Sequence, residues 1–166
     1  MKKMRQSLQC PYIESHSIQD SRNDWVFLAQ CDTTAGFLSR NPQKLNRIKS
    51  RPLHQKVLIE VVSLESLKFL VRVPIKHKNR VRRAKYTTFI YPNTKAIRLV
   101  QDERHLRFLK FHKMLYSTSA NPTNESFNEQ WAKSHCDVIV LDKQGFAQKP
   151  ASKVYRINDS KIQRRR

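Results

Sequence analysis

The chain has 166 residues, 39% of them apolar, and a formal net charge of +20. That length suits one domain with a real core and is short for two. No apolar run approaches the ~20 residues of a membrane-spanning helix, and the N-terminal MKKMRQSLQCPYIES lacks the apolar stretch of a secretory signal. The charge favours polyanionic partners but does not choose between an RNA binder and an enzyme that handles phosphates.

Residues 1–22 are polar and irregular and read as a poorly ordered basic N-terminal arm, with one domain over 23–158. Trp25–Gln30 (WVFLAQ) reads as a buried strand, and CDTTAGF after it as a loop containing Gly36. In NPQKLNRIKS, Asn41 stands as a helix cap and Pro42 at the first helical position; Leu45 and Ile48 share a face. KVLIEVV (56–62) is a strand, and SLESLKFL opens a helix capped by Ser63. The stretch 72–85 carries seven Lys or Arg and no acid, and reads as partly helical. TTFIYP and AIRLV are strands joined as a hairpin by Asn93, Thr94 and Lys95. DERHLRFLKFH is a helix with Asp102 at its start and Leu106 and Leu109 on one face. MLYST is a strand, ESFNEQWAKSH a helix, and DVIVLD and KVYRI are strands. Trp131, with Phe127 one turn before it, reads as helix core rather than a base-stacking platform. The basic C-terminal tail 159–166 reads as loose. Strands and helices alternate around a central hairpin, which predicts a mixed α/β sheet with helices against it.

Three cysteines (Cys10, Cys31, Cys136) are odd in number and far apart, as expected of reduced thiols in a cytoplasmic protein. The six histidines have no ligand spacing, so no metal site is expected. Cys31 has no histidine near it in sequence and reads as a small filler rather than a nucleophile.

Three polar loops follow these elements: Cys31–Gly36, KSRP (Lys49–Pro52) and YSTSAN (Tyr116–Asn121). Strand-end loops are where ligands of open α/β sheets sit. Singly, Lys49 and Arg51 fit a solvated helix end, and Ser, Thr and Asn fit a turn. Together they fit a phosphate site: cations supply charge, and short hydroxyls and an amide orient oxygens without adding any.

The segments IKSRPLHQKVLIEVV, TTFIYPNTKAIRLV, LYSTSAN and GFAQKPASKVYRI, in that order within Trp25–Ile157, resemble the successive signatures of the YrdC-like family, which includes threonylcarbamoyl-AMP synthases. The resemblance implies a twisted mixed α/β sheet with helices packed on it and a positively charged concave face. It implies an L-threonylcarbamoyladenylate synthase that condenses L-threonine, bicarbonate and ATP, with Mg²⁺, and releases pyrophosphate. The product serves threonylcarbamoyladenosine modification of tRNA, with other threonylcarbamoyl-transfer proteins downstream. Lys49 and Arg51 match the K-x-R pair and would be catalytic, holding phosphates and the carbamate. Ser119 and Asn121 match S-x-N and would bind the triphosphate. Ser117, Ser152 and Thr87 or Thr88 would contact nucleotide, and Asp32, Thr33 and Arg98 would bind threonine. Arg80, Arg82 and Arg83 are the candidate RNA contacts. The expected protein is a cytoplasmic monomer without a membrane partner.

The chain also departs from the family. Cys31 replaces a threonine and Ala35 an aromatic in the first loop, Glu60 stands where many members have histidine, and AKYTTF lacks the usual glycine and prolines. The alternative is a non-catalytic or weakly catalytic YrdC-like protein that binds nucleotide or double-stranded RNA. Its binding would fall steeply with salt.

Overall fold

The computed structural model describes residues 24–166, so the expected arm over 1–22 lies outside the described residues. In chain order the elements are β1 (Val26–Gln30), β2 (Ala35–Ser39), α1 (Pro42–Ile48), β3 (Leu58–Val61), α2 (Leu64–Leu70), a 3₁₀ turn (Ile75–His77), α3 (Lys78–Arg83), β4 (Thr87–Ile90), β5 (Ala96–Leu99), α4 (Glu103–Leu109), β6 (Met114–Ser119), α5 (Glu129–Ser134), β7 (Val138–Ile139), β8 (Lys153–Ile157) and β9 (Ile162–Arg164). The strands form one twisted sheet in the order β7-β1-β2-β6-β3-β5-β4-β8-β9. The pairs β1–β7, β3–β5 and β4–β8 are parallel; the other neighbours are antiparallel.

The helix starts follow local chemistry. The Asn41 side chain accepts from the Gln43 N–H, Ser63 from Ser66, Asp102 from His105 and Asn128 from Trp131. Each satisfies a backbone donor that the first helical turn leaves free. The β4–β5 hairpin closes through Thr94 N–H to Tyr91 O at 2.8 Å, with Thr94 in the left-handed region (φ 65°).

Side chains alternate along each strand, which gives the sheet two chemically different faces. One carries Ile59, Val61, Phe89 and Ile97, packed with Leu67 of α2 and Val81 of α3. Further along, Val26, Leu28, Ala35 and Phe37 pack with Leu45 of α1 and Ala132 of α5. Phe37 and Trp131 lie 5.7 Å apart, ring to ring, so the half-buried Trp131 packs against the core. The other face is apolar only where α4 covers it, around Phe27, Leu38, Leu109 and Leu115. Beyond α4 that face turns polar and opens into a cavity.

Four expectations need correction. Gly36 lies in strand β2, not in a loop, paired with Ala29 and Ser119. The α5 helix begins only at Glu129, because Asn128 takes the cap. Only Val138 and Ile139 of DVIVLD pair as a strand. The tail is not loose: Ile162–Arg164 forms β9 against β8, Ile162 sits opposite Ile157, and both join the core. Among the described residues no helix is long and apolar enough to cross a membrane.

Candidate functional site

The K-S-R segment is the C-terminal cap of α1. The Arg51 N–H reaches back to Asn46 O at 2.8 Å, and the Ser50 N–H to Arg47 O at 3.0 Å, with Ser50 left-handed at φ 50°. This is the Schellman closure, which normally recruits glycine at that position. It sends the side chains of Lys49 and Arg51 to different places. Arg51 lines a cavity of about 280 Å³. Lys49 is 3% exposed and sits behind the wall; its ammonium donates to Ser119 O at 3.2 Å, to Asn121 Oδ1 at 3.3 Å and to Asn121 O. Burial, then Arg51, lowers the Lys49 pKa to about 8. Lys49 therefore clamps the S-A-N loop in place, and Arg51 is the member of the pair that faces the cavity.

The neutral row ends β6. Ser117 and Ser119 share the open face by alternation. Ser119 lines the cavity and a second, adjoining one of about 530 Å³ that also takes in Asn121; the two cavities share Thr34, Ser119 and Ala151. Ser117 is buried, and its hydroxyl is close enough to Glu60 to help favour the ionised carboxylate. Lys56 and Arg166 add two more cations to the first cavity. Neither was legible as a site residue; Arg166 arrives because β9 folds back and its Nε donates to Ser152 O at 3.2 Å.

The opposite side of the first cavity is organised by Arg98 on β5, 6% exposed. Its Nη1 donates to Asp32 Oδ1 at 2.6 Å, Thr33 Oγ1 at 3.4 Å and Glu60 Oε1 at 3.4 Å. Its Nη2 donates to Ser152 Oγ at 2.8 Å and its Nε to Thr88 Oγ1 at 3.3 Å. Sequence placed Asp32, Thr33, Thr88, Arg98 and Ser152 at the site, and the fold gathers all five. Thr87 points elsewhere, its hydroxyl on Lys85 O at 2.8 Å. Burial raises the Asp32 carboxyl above its ordinary range, with Arg98 opposing.

Glu60 was seen only as a departure and His105 not at all. Glu60 sits on β3 in register with Arg98 and is fully buried. His105 descends from α4 and places Nε2 2.6 Å from Glu60 Oε2. Burial opposes both charges, but each group favours the other's. Glu60 is held below its ordinary range by His105, Arg98 and Ser117, and His105 is raised by Cys31 and Glu60. Cys31 also lies beside His105, a neighbour that sequence distance concealed; burial, aided by Glu60, raises its thiol.

Arg80, Arg82 and Arg83 are exposed on α3. That helix packs through Val81 on the face of the sheet opposite the cavity, so these arginines do not join the site.

No family model matches the chain, and no curated protein matches it in sequence. Solved structures do match. P. abyssi Sua5 superposes with a TM-score of 0.70 at 16% identity, covering 92% of this chain and 53% of that one. E. coli YciO gives 0.69 at 14% identity, covering 91% and 86%. HypF in its phosphate- and nucleotide-bound form gives 0.63 at 13% identity, covering 93% and 29%. Sua5 has also been solved with L-threonine. The mixed sheet with its helices is thus a known architecture. It is the Sua5/YrdC fold, here in a diverged domain that spans about half the length of that Sua5.

Proposed function

We propose that this chain is a threonylcarbamoyl-AMP synthase-like nucleotidyltransferase acting on ATP, L-threonine and bicarbonate. The observation that carries the reading is a single cavity bounded by Arg51 and Ser119 on one side and by Thr33, Arg98, Ser117 and Ser152 on the other. HypF has been solved in a phosphate- and nucleotide-bound form and P. abyssi Sua5 with L-threonine, and these ligand classes support the choice of a nucleotide and threonine as substrates.

In this reading the triphosphate lies along Arg51, Lys56 and Ser119, and Lys49 keeps the S-A-N loop rigid beneath it. The threonine amine takes up bicarbonate with loss of water, and a carbamate oxygen attacks the α-phosphorus. The bond from that phosphorus to the departing pyrophosphate breaks. Fixed cations stabilise the charge on the transferring and leaving oxygens, and positioning supplies the rest. The hydroxyl of Ser119, which lines both cavities, is a hard neutral donor that would help hold Mg²⁺ against the triphosphate, whereas Asn121 Oδ1 is already held by the Lys49 ammonium. When bound with the triphosphate, Mg²⁺ adds charge neutralisation. The adenylate would pass to proteins that transfer the threonylcarbamoyl group to tRNA.

The test is pyrophosphate release from ATP, with threonine and bicarbonate omitted in turn. Dependence on both is the expected result. No release from a protein that still binds ATP would overturn the synthase reading.

A second reading has its own support: Arg98 already holds two protein carboxylates, Asp32 and Glu60. A domain whose amino-acid side is occupied in this way would bind nucleotide or double-stranded RNA without catalysis. RNA binding through Arg80, Arg82 and Arg83 would lose about two to three units of salt slope when all three become alanine.

A further inference from the structure

Cys31, Glu60 and His105 come from three separate elements: the end of β1, the middle of β3 and the first turn of α4. All three are buried, and Cys31 and Glu60 line the 280 Å³ cavity. Cys31 Sγ, one Glu60 oxygen and one His105 ring nitrogen lie within 4.8 Å of one another.

Three further observations make this more than a packing coincidence. His105 is 1% exposed; its Nε2 faces Glu60 Oε2 at 2.6 Å, and its Nδ1 has no hydrogen-bond partner among the described residues, so the protein alone leaves part of the ring's polar capacity unused. A buried ring nitrogen without a partner is uncommon and costly. Next, Cys31 Sγ lies 3.8 Å from Ala29 O and beside the His105 ring, so among the described residues the sulfur is turned toward its two candidate co-ligands. Its position depends on Gly36, where a Cβ would stand 2.7 Å from Sγ. Finally, Glu60 has outer partners of the kind that orient a ligating carboxylate: Arg98 on Oε1 and the Ser117 hydroxyl.

We propose that Cys31, Glu60 and His105 form a three-ligand site for a borderline-soft divalent cation, with zinc as its occupant and the fourth position facing the cavity. Thiolate, imidazole and carboxylate together select zinc over Mg²⁺ or Ca²⁺, which take oxygen sets. Three protein ligands and an open position is the arrangement of reactive rather than structural zinc. Donors around tetrahedral zinc stand about 3.5 Å apart, so side-chain shifts of about 1 Å complete the set. Charge also balances: Asp32, Glu60 and a Cys31 thiolate offset Arg98 and the dication. The site lies beside Arg98 and Thr33, where a cavity ligand with a carboxylate or hydroxyl would reach the metal.

The experiment is a Co²⁺ titration of reduced, chelator-stripped full-length protein, followed by Zn²⁺ competition. One equivalent of Co²⁺ should give tetrahedral d–d bands and a thiolate charge-transfer band, and Zn²⁺ should erase them. Cys31→Ser should remove the charge-transfer band and weaken Zn²⁺ binding at least about 100-fold. A Cys10→Ser, Cys136→Ser double variant should keep both. Zn²⁺ should also shield Cys31, but not Cys136, from alkylation in the wild-type protein, a readout that needs no variant to fold. Absence of the thiolate band, or its survival in Cys31→Ser, would overturn the proposal. Unprotected Cys31 in the presence of saturating Zn²⁺ would do the same.

Discussion

The two sides of the cavity use charge in opposite ways. On the S-A-N side, Lys49 is held by carbonyl and amide oxygens, and Arg51 stands on the wall with no carboxylate among its described partners. On the β3–β5 side, Arg98 and His105 meet Asp32 and Glu60, so two cations face two anions. Positive charge is therefore not spread evenly over the site. One side presents a cation to the cavity, whereas the other pairs its cations internally and is buried and close to neutral.

The largest break in that contrast should come from Arg98→Ala. It strands Asp32 and Glu60 without their shared partner, and removing one member of a buried ionic group costs about 3–5 kcal/mol. Chemical denaturation should read that loss directly. Arg51→Ala should do the reverse: stability within about 0.5 kcal/mol of wild type, but nucleotide affinity or turnover down by at least about 100-fold. If the two variants lost stability equally, the division of roles would fail.

pH should sharpen the same contrast. Glu60 has a lowered pKa, so its contribution is present above its ordinary 4.5 and is lost as pH falls through its folded value. His105 has a raised pKa, so its contribution is complete below its ordinary 6.5 and declines as pH rises toward its folded value. The destabilisation by Glu60→Gln should thus be greatest between about pH 4.5 and 6.5 and shrink in alkali. Lys49 behaves oppositely. Its pKa falls from 10.5 to about 8, so the unfolded chain holds the proton more tightly and this group adds stability as pH climbs between those values. Thermal melts of chelator-stripped wild type, Glu60→Gln and Lys49→Met across pH 5–10 would separate the two trends.

The smallest effect concerns the turn between Lys49 and Arg51. Ser50 is exposed and left-handed, so Ser50→Gly should stabilise the chain by up to about 1 kcal/mol without altering nucleotide binding. A loss of stability would mean that the Ser50 side chain makes a contribution its exposure does not suggest.

Much of this was legible from local chemistry. Asn41, Ser63 and Asp102 announce helix starts because a short polar side chain before an apolar period has one common use. Arg51 and Ser119 marked one side of the cavity, and Arg98 and Ser152, with Asp32 behind them, the other, because their resemblance to a known order of motifs carried spatial information. Other features were not legible. The tail looked loose because its arginines hid Ile162, whose partner Ile157 lies across a turn. Lys49 read as a phosphate ligand because a sequence cannot say that a backbone carbonyl waits 70 residues away.

By itself, the sequence determined the α/β class, the helix caps, the hairpin and most of the residue types around a polar, cation-bearing cleft. These depend on near neighbours and on periodicity. The tertiary structure alone decided which charges remain free. Cys31, Glu60 and His105 are scattered over 75 positions and meet only because β1, β3 and α4 converge at one end of a sheet face. Arg98 loses its freedom for the same reason. Pairing and burial are properties of side chains brought together from distant segments, and no local pattern encodes them.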